Sequence, residues 1–133
     1  MSFKFSARSN ELLDTINPAL ADVMRAAIQV SPIDFGIPPF GGLRTAEQQN
    51  ELYFAGKSKC DGYRIKSKHQ SGNAVDVFAY VNGKASWSDV HLGMIAGVVL
   101  SEAARLGVKL TWGGTFGSND FNGWDKPHFE LTD

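Results

Sequence analysis

Cysteine occurs once, at Cys60. A single thiol rules out an intramolecular disulfide and excludes a Cys-rich zinc site, so Cys60 is read as a structural or incidental thiol. An excess of either charge is also missing, with thirteen basic side chains against fourteen acidic ones and a formal net charge of -1. That balance gives no global electrostatic case for nucleic acid as a partner. No window approaches the roughly 18 apolar residues of a membrane span. The N-terminal MSFKFSARSNELL lacks the apolar core of a secretory signal, so a soluble chain made in the cytoplasm, without membrane insertion, is expected. Linkers, internal repeats and low-complexity tracts are absent too. The 133 residues, 43% of them hydrophobic, are therefore expected to form one domain, residues 1–133, around one core.

What is present begins with a local charge run. KSKCDGYRIKSK at 57–68 carries Lys57, Lys59, Arg64, Lys66 and Lys68 against the single acid Asp61. Such a run is either a solvated loop or a surface that approaches an anionic polymer or a substrate carboxylate.

Asn17 and Pro18 suit the cap and first position of a helix, and Leu20, Val23, Met24, Ala27 and Ile28 follow on one face at helical spacing. A shorter helical turn is expected around residues 9–15, and SPIDFGIPPFGG at 31–42 reads as an extended segment with turns. Thr45 and Gln48 form a capping box that opens a helix through about Ala55, ended by Gly56, which puts Arg44 just before a helix start. NAVDVFAYV at 73–81 predicts one strand, with Ala74, Asp76, Phe78 and Tyr80 on one face and Val75, Val77, Ala79 and Val81 on the other. Asn82-Gly83 is a tight-turn signal. Ser88 can cap a long helix whose buried stripe is Leu92, Ile95, Ala96, Val99, Leu100, Ala103 and Leu106, with Gly107 as its stop. VKLTW at 108–112 predicts a strand and WGGTFGSNDFNG a loop. The closing WDKPHFEL predicts a strand with His128 and Glu130 on one face and Phe129 and Leu131 on the other. Helices and an antiparallel-type sheet in separate blocks indicate an α+β fold.

Within this framework Asp76 is anomalous, because an ionised carboxylate in an apolar strand is costly unless paired, hydrogen-bonded or bound to a metal. His69 and His128, each in a polar turn or strand context, would singly read as hydrogen-bonded structural histidines, as His91 does. Together with Asp76 they make two imidazoles and one carboxylate, a ligand set for catalytic zinc that leaves a fourth position for water. The competing reading of Asp76 is a carboxylate capping backbone groups in the turn. Asp125, three residues before His128, is the candidate general base, with Glu130 second and more suited to supporting His128. Arg44 is ordinarily a surface guanidinium, but at the mouth of such a site it could hold an oxyanion or a substrate carboxylate. Ser67 could donate a hydrogen bond to substrate or serve only as a turn residue.

Two motifs then resemble a known family. Ser67-Lys-His69-Gln-Ser-Gly72-Asn-Ala74-Val-Asp76 looks like S-x-H-x-x-G-x-A-x-D, and Asp125-Lys-Pro-His128 looks like the closing acid-x-x-H, of the zinc peptidases. These include D-Ala-D-Ala carboxypeptidases and the L-alanyl-D-glutamate endopeptidases used as phage endolysins. The stretches 41–62 and 112–130 are similar to the endolysin branch, and Asp125 stands where the dipeptidase branch usually has Glu. The resemblance implies a small, mainly antiparallel sheet packed against helices with the zinc site on the sheet, a D-Ala-D-Ala carboxypeptidase/hedgehog-like fold. It implies Zn2+ on His69, Asp76 and His128, catalysis by Asp125, and a substrate or transition-state role for Arg44. The expected partner is the peptide stem of bacterial peptidoglycan, cut by a monomer at the L-alanyl-D-glutamate bond. No wall-binding module is left over, which suits a Gram-negative host, and a holin-like pore would be needed for the chain to reach the wall. A cell-wall D-Ala-D-Ala carboxypeptidase, which needs a closed pocket for a free C-terminal carboxylate, and a non-catalytic zinc-binding relative are the alternatives.

Overall fold

The computed structural model describes residues 2–133. Ser6 caps α1 (Ala7–Leu13), which starts two residues earlier than the sequence pattern suggests. Asn17 accepts from the Ala19 amide and Pro18 opens α2 (Pro18–Val30), whose stripe Leu20, Val23, Met24, Ala27 and Ile28 is buried. The extended segment contains a short strand, β1 (Asp34–Gly36). The Thr45/Gln48 capping box is present, and α3 (Ala46–Phe54) ends where Gly56 turns the chain with a positive φ.

The predicted strand over 73–81 is two strands, β2 (Ala74–Asp76) and β3 (Phe78–Val81), and they lie in different sheets. Val77 is the switch. Its amide donates to the Pro127 carbonyl at 2.9 Å, while the Asp76 amide donates to Gly41 at 2.9 Å, so pairing changes partner across this residue. The period-2 alternation survives the break, with Val75, Val77 and Ala79 fully buried and Tyr80 exposed. Asn82 and Gly83, both at positive φ, form the turn to β4 (Lys84–Ser86), a strand that the sequence pattern does not reveal.

Next comes α4 (Asp89–Leu106), ended by Gly107 in the left-handed region. Two expectations for it need correction. Ser88 stands at the cap position but makes no side-chain cap bond, and its own amide donates to Ser86 Oγ at 3.3 Å. Leu106 is 42% exposed, since the last turn runs past the core. Leu100 is only partly buried. Strands β5 (Leu110–Trp112) and β6 (His128–Leu131) complete two antiparallel three-stranded sheets, ordered β1-β3-β4 and β2-β6-β5. Helices α2 and α4 pack on each other within one hydrophobic core that includes Phe129, Val75, Val77 and Trp112.

Phe129 is fully buried between His128 and Glu130 in sequence, so the strand that presents the polar pair is anchored by an apolar side chain pointing the other way. Truncating it to Ala would cost about 3–5 kcal/mol and loosen the pair. Among the described residues, no helix is long and apolar enough to cross a membrane.

Candidate active site

In the β2–β6 register Asp76 lies opposite His128 and Ala74 opposite Glu130. His69 arrives from a 3-10 turn (Lys68–Ser71) capped by Ser67, whose oxygen accepts from the His69 amide, and Gln70 closes the box on the Ser67 amide. Gly72 then reverses the chain into β2 at φ +76. Ser67 is thus a turn residue whatever else it contacts.

The three side chains converge. His69 Nε2 is 3.3 Å from Asp76 Oδ1 and 3.3 Å from His128 Nδ1, and His128 Nδ1 is 3.2 Å from Asp76 Oδ1. Each histidine has its other nitrogen committed. His69 Nδ1 donates to the Gly42 carbonyl at 3.0 Å, and His128 Nε2 donates to Glu130 Oε1 at 2.8 Å. Those outer bonds fix the tautomers, so with neutral rings three lone-pair acceptors face one another. Such a trio needs a cation between its members. Ligands held about 2.0–2.1 Å from a tetrahedral ion stand roughly 3.3–3.4 Å apart, and the observed triangle has that size. His69, Asp76 and His128 can therefore hold a metal ion.

In the absence of a metal, a proton serves as the cation. Burial pushes the His128 imidazole down, but its hydrogen bonds to Asp76 and Glu130 outweigh burial and hold it at about 9. Burial would raise the Asp76 carboxyl, yet His69 and His128 hold it well below the usual carboxylate range. The His128 hydrogen bond depresses Glu130 against a smaller effect of burial, and Lys68 adds to the depression. Asp125 goes the other way: burial raises it, and His128 only partly compensates. A carboxyl with raised proton affinity beside the trio has the property required of a general acid/base.

Arg44 is not a surface residue. Its side chain is 11% exposed and donates to Asp76 Oδ2 at 2.8 Å, to Gln49 Oε1 at 3.0 Å and to the Phe40 carbonyl at 2.7 Å. Asp76 is divided between two tasks, one oxygen toward the histidines and the other toward Arg44. Gln49, fully buried, was missed by sequence reasoning because a glutamine in a capped polar helix carries no signal of burial. Its amide also donates to Ser58 Oγ and to the Cys60 carbonyl, both at 2.8 Å, joining the basic segment to Arg44.

Asp125 Oδ2 stands 3.9 Å from His128 Nδ1, on the side of the trio, whereas Glu130 occupies the outer nitrogen and takes Lys68 Nζ at 3.1 Å. Gly113 makes the position of Asp125 feasible, since a Cβ there would collide with the Asp125 carbonyl. Trio, Arg44 and Asp125 all open into a groove of about 740 Å³, lined also by Phe40, Trp87, Phe116 and Trp124, by Ser67, and by Lys57, Lys59 and Lys66. His91 lies outside it, bonded through Nδ1 to Ser86 Oγ at 2.7 Å.

Three nitrogen and oxygen donors on a groove floor, with a free carboxylate beside them, form the kind of site a metal-dependent hydrolase uses. A sequence profile of the phage L-alanyl-D-glutamate peptidase family matches residues 1–132, and the chain belongs to that family. It is 35% identical to the L-alanyl-D-glutamate peptidase of Escherichia phage T5 over 139 aligned positions, covering 98% of this chain and 99% of that relative. The crystal structure of the Serratia marcescens L-Ala D-Glu endopeptidase ChiX superposes with a TM-score of 0.82 at 35% identity, over 98% of this chain and 91% of that one. The vancomycin-resistance D,D-dipeptidase VanXYg shares the fold at a TM-score of 0.55 and 13% identity, over 87% of this chain and 50% of that one.

Proposed function

We propose that this chain is a zinc-dependent endopeptidase that hydrolyses the L-alanyl-D-glutamate amide in the peptide stem of bacterial peptidoglycan, the bond for which its relatives are named. The observation that carries the reading is the acceptor triangle of His69, Asp76 and His128 with Asp125 beside it. Those three residues hold the zinc ion, which when bound supplies a Lewis acid that polarises a carbonyl and makes water acidic. Asp125 takes the proton of the attacking water and returns it to the leaving amine, a role that fits a carboxylate standing 3.9 Å from His128 Nδ1 on the side of the trio and outside the ligand set. Arg44 keeps Asp76 oriented, and its charge, facing the groove, stabilises the negative charge that develops on the carbonyl oxygen. Glu130 fixes the His128 tautomer. Ser67, whose oxygen is used as a cap, has its hydroxyl proton left to give to substrate.

Residues 1–133 act as one catalytic domain and as a monomer, without nucleic acid and without inserting into a membrane. The site of action is the cell wall, reached through a holin-type pore. Digestion of purified muropeptides followed by mass analysis of the new ends tests the reading. A new N-terminal D-Glu is expected, and it should disappear with chelator and return with zinc. Release of terminal D-Ala alone would move the chain to the carboxypeptidases, and intact muropeptides would leave a non-catalytic zinc-binding protein.

A further inference from the structure

The basic segment is not a loose solvated loop. Gln49 pins it from below through Ser58 and Cys60, Ser58 Oγ takes the Cys60 amide at 3.2 Å, and one Asp61 oxygen accepts from the amides of Tyr63, Arg64 and Ile65. Its single acid is thus consumed in building the turn. Lys57, Lys59 and Lys66 project from this braced backbone onto the groove. Among the described residues, none of these three lysines is in an ion pair. Lys59 rests over the Trp124 ring, 4.9 Å from its centroid, and both line the groove.

The groove's three carboxylates do not neutralise them. Asp76 is committed to Arg44 and the histidines, Glu130 to Lys68 and His128, and Asp125 lies nearest His128. A chain with a net charge of -1 therefore presents a groove with five cationic side chains against three acids, two of which are already paired with Arg44 and Lys68. Charge concentrated in this way favours an anionic ligand.

We propose that Lys57, Lys59 and Lys66 form a recognition wall for a free carboxylate on the leaving-group side of an acidic peptide. The proposal rests on the endopeptidase reading above. In that substrate the D-Glu residue is linked onward through its γ-carboxyl, so its α-carboxylate is free on the carbon that bears the scissile nitrogen. An ionised group so close to the cut bond must lie in the groove when the bond lies at the trio, and the unpaired lysines are the cations available to it.

The test compares two soluble muramoyl tripeptides, one with the D-Glu α-carboxylate free and one with it converted to an amide, using zinc-loaded protein. Wild type is expected to prefer the carboxylate by about tenfold in kcat/KM, mostly through KM, as several exposed cations acting together would give. The Lys57→Gln/Lys59→Gln/Lys66→Gln variant should bring the ratio of the two substrates close to one. The corresponding triple Arg variant should retain the preference, and added salt should shrink it. Equal cleavage of both peptides by wild type, or a preference that survives the triple Gln change, overturns the recognition wall and leaves the endopeptidase standing. Cleavage of neither peptide by wild type overturns both.

Discussion

Asp76 and His128 are direct cross-strand neighbours, and the 3.2 Å between Oδ1 and Nδ1 is set by the β2–β6 ladder rather than by a flexible loop. Two of the three donors are therefore preorganised by backbone pairing, and His69 is brought to them by the capped 3-10 turn. Asp76→Asn keeps the shape but places a neutral amide against two histidine lone pairs and Arg44. Bound zinc, expected at about one equivalent per chain in wild type, should be largely lost, because an amide is a poor ligand for a dication. Metal analysis of the purified variant checks this, and full zinc occupancy would remove Asp76 from the ligand set.

Arg44→Ala should lower stability as well as turnover. The sequence position before a helix suggests a surface residue with little effect on melting, but the structure places its guanidinium on three acceptors at the edge of the core. Removing it strands Gln49 Oε1 and Asp76 Oδ2, at a cost of about 1–3 kcal/mol. Arg44→Lys should recover little, since one ammonium cannot span three separate acceptors. Thermal melts of both variants decide it; an unchanged melting temperature for the Ala variant would return Arg44 to a purely functional role.

The site was legible in the sequence where chemistry made a residue anomalous. Asp76 stood out as a charge in an apolar strand, and its spacing to His69 and the pattern around His128 named the trio. What stayed hidden depends on contacts between distant segments. The break at Val77 follows from a hydrogen bond to Pro127, fifty residues away, and nothing in NAVDVFAYV marks it. Gln49 and Gly113 act only through what packs on them, namely Arg44 with the basic segment, and the Asp125 backbone. The helices were more legible because their caps and stripes are local: Asn17-Pro18, Thr45 with Gln48, and Gly107 mark real boundaries.

A pH dependence follows for the chelated protein. His128 is held at about 9, above its ordinary 6.5, so its contribution to stability is complete below about pH 6.5 and lost as pH rises through about 9. Asp76 is depressed below 3.8, so its contribution is present above that value and lost as pH falls through the depressed range. Stability from these two groups should thus be greatest between about pH 4 and pH 6.5. Zinc needs the His128 nitrogen free of its proton, so the stabilisation added by zinc should grow over the interval in which the chelated protein weakens. Melting curves with chelator and with zinc, from about pH 5 to about pH 9, test the divergence, the chelated protein weakening above about pH 6.5 while the zinc-bound protein does not. Parallel curves would refute the shared site.

The two carboxylates flanking His128 should separate cleanly. Asp125 lies 3.9 Å from Nδ1, the nitrogen that faces the trio, and belongs to no ligand set, which suits a group that accepts a proton and gives it back. Glu130 lies 2.8 Å from Nε2, is depressed by that bond, and is tied by Lys68, so it is a fixed anion with no proton to exchange. Asp125→Asn should keep zinc and fold while lowering the hydrolysis rate by roughly 10²-fold or more, the loss typical of a missing acid/base group. Glu130→Gln still offers an acceptor to Nε2–H, but loses the charge that supports His128 and holds Lys68. It should weaken zinc binding by about tenfold while leaving the rate of the zinc-saturated enzyme within a few-fold of wild type. Both variants are assayed on cell walls stripped of outer membrane, at saturating zinc and with zinc content measured in each sample. A Glu130 variant that is inactive at full zinc, alongside an active Asp125 variant, would reverse the two assignments.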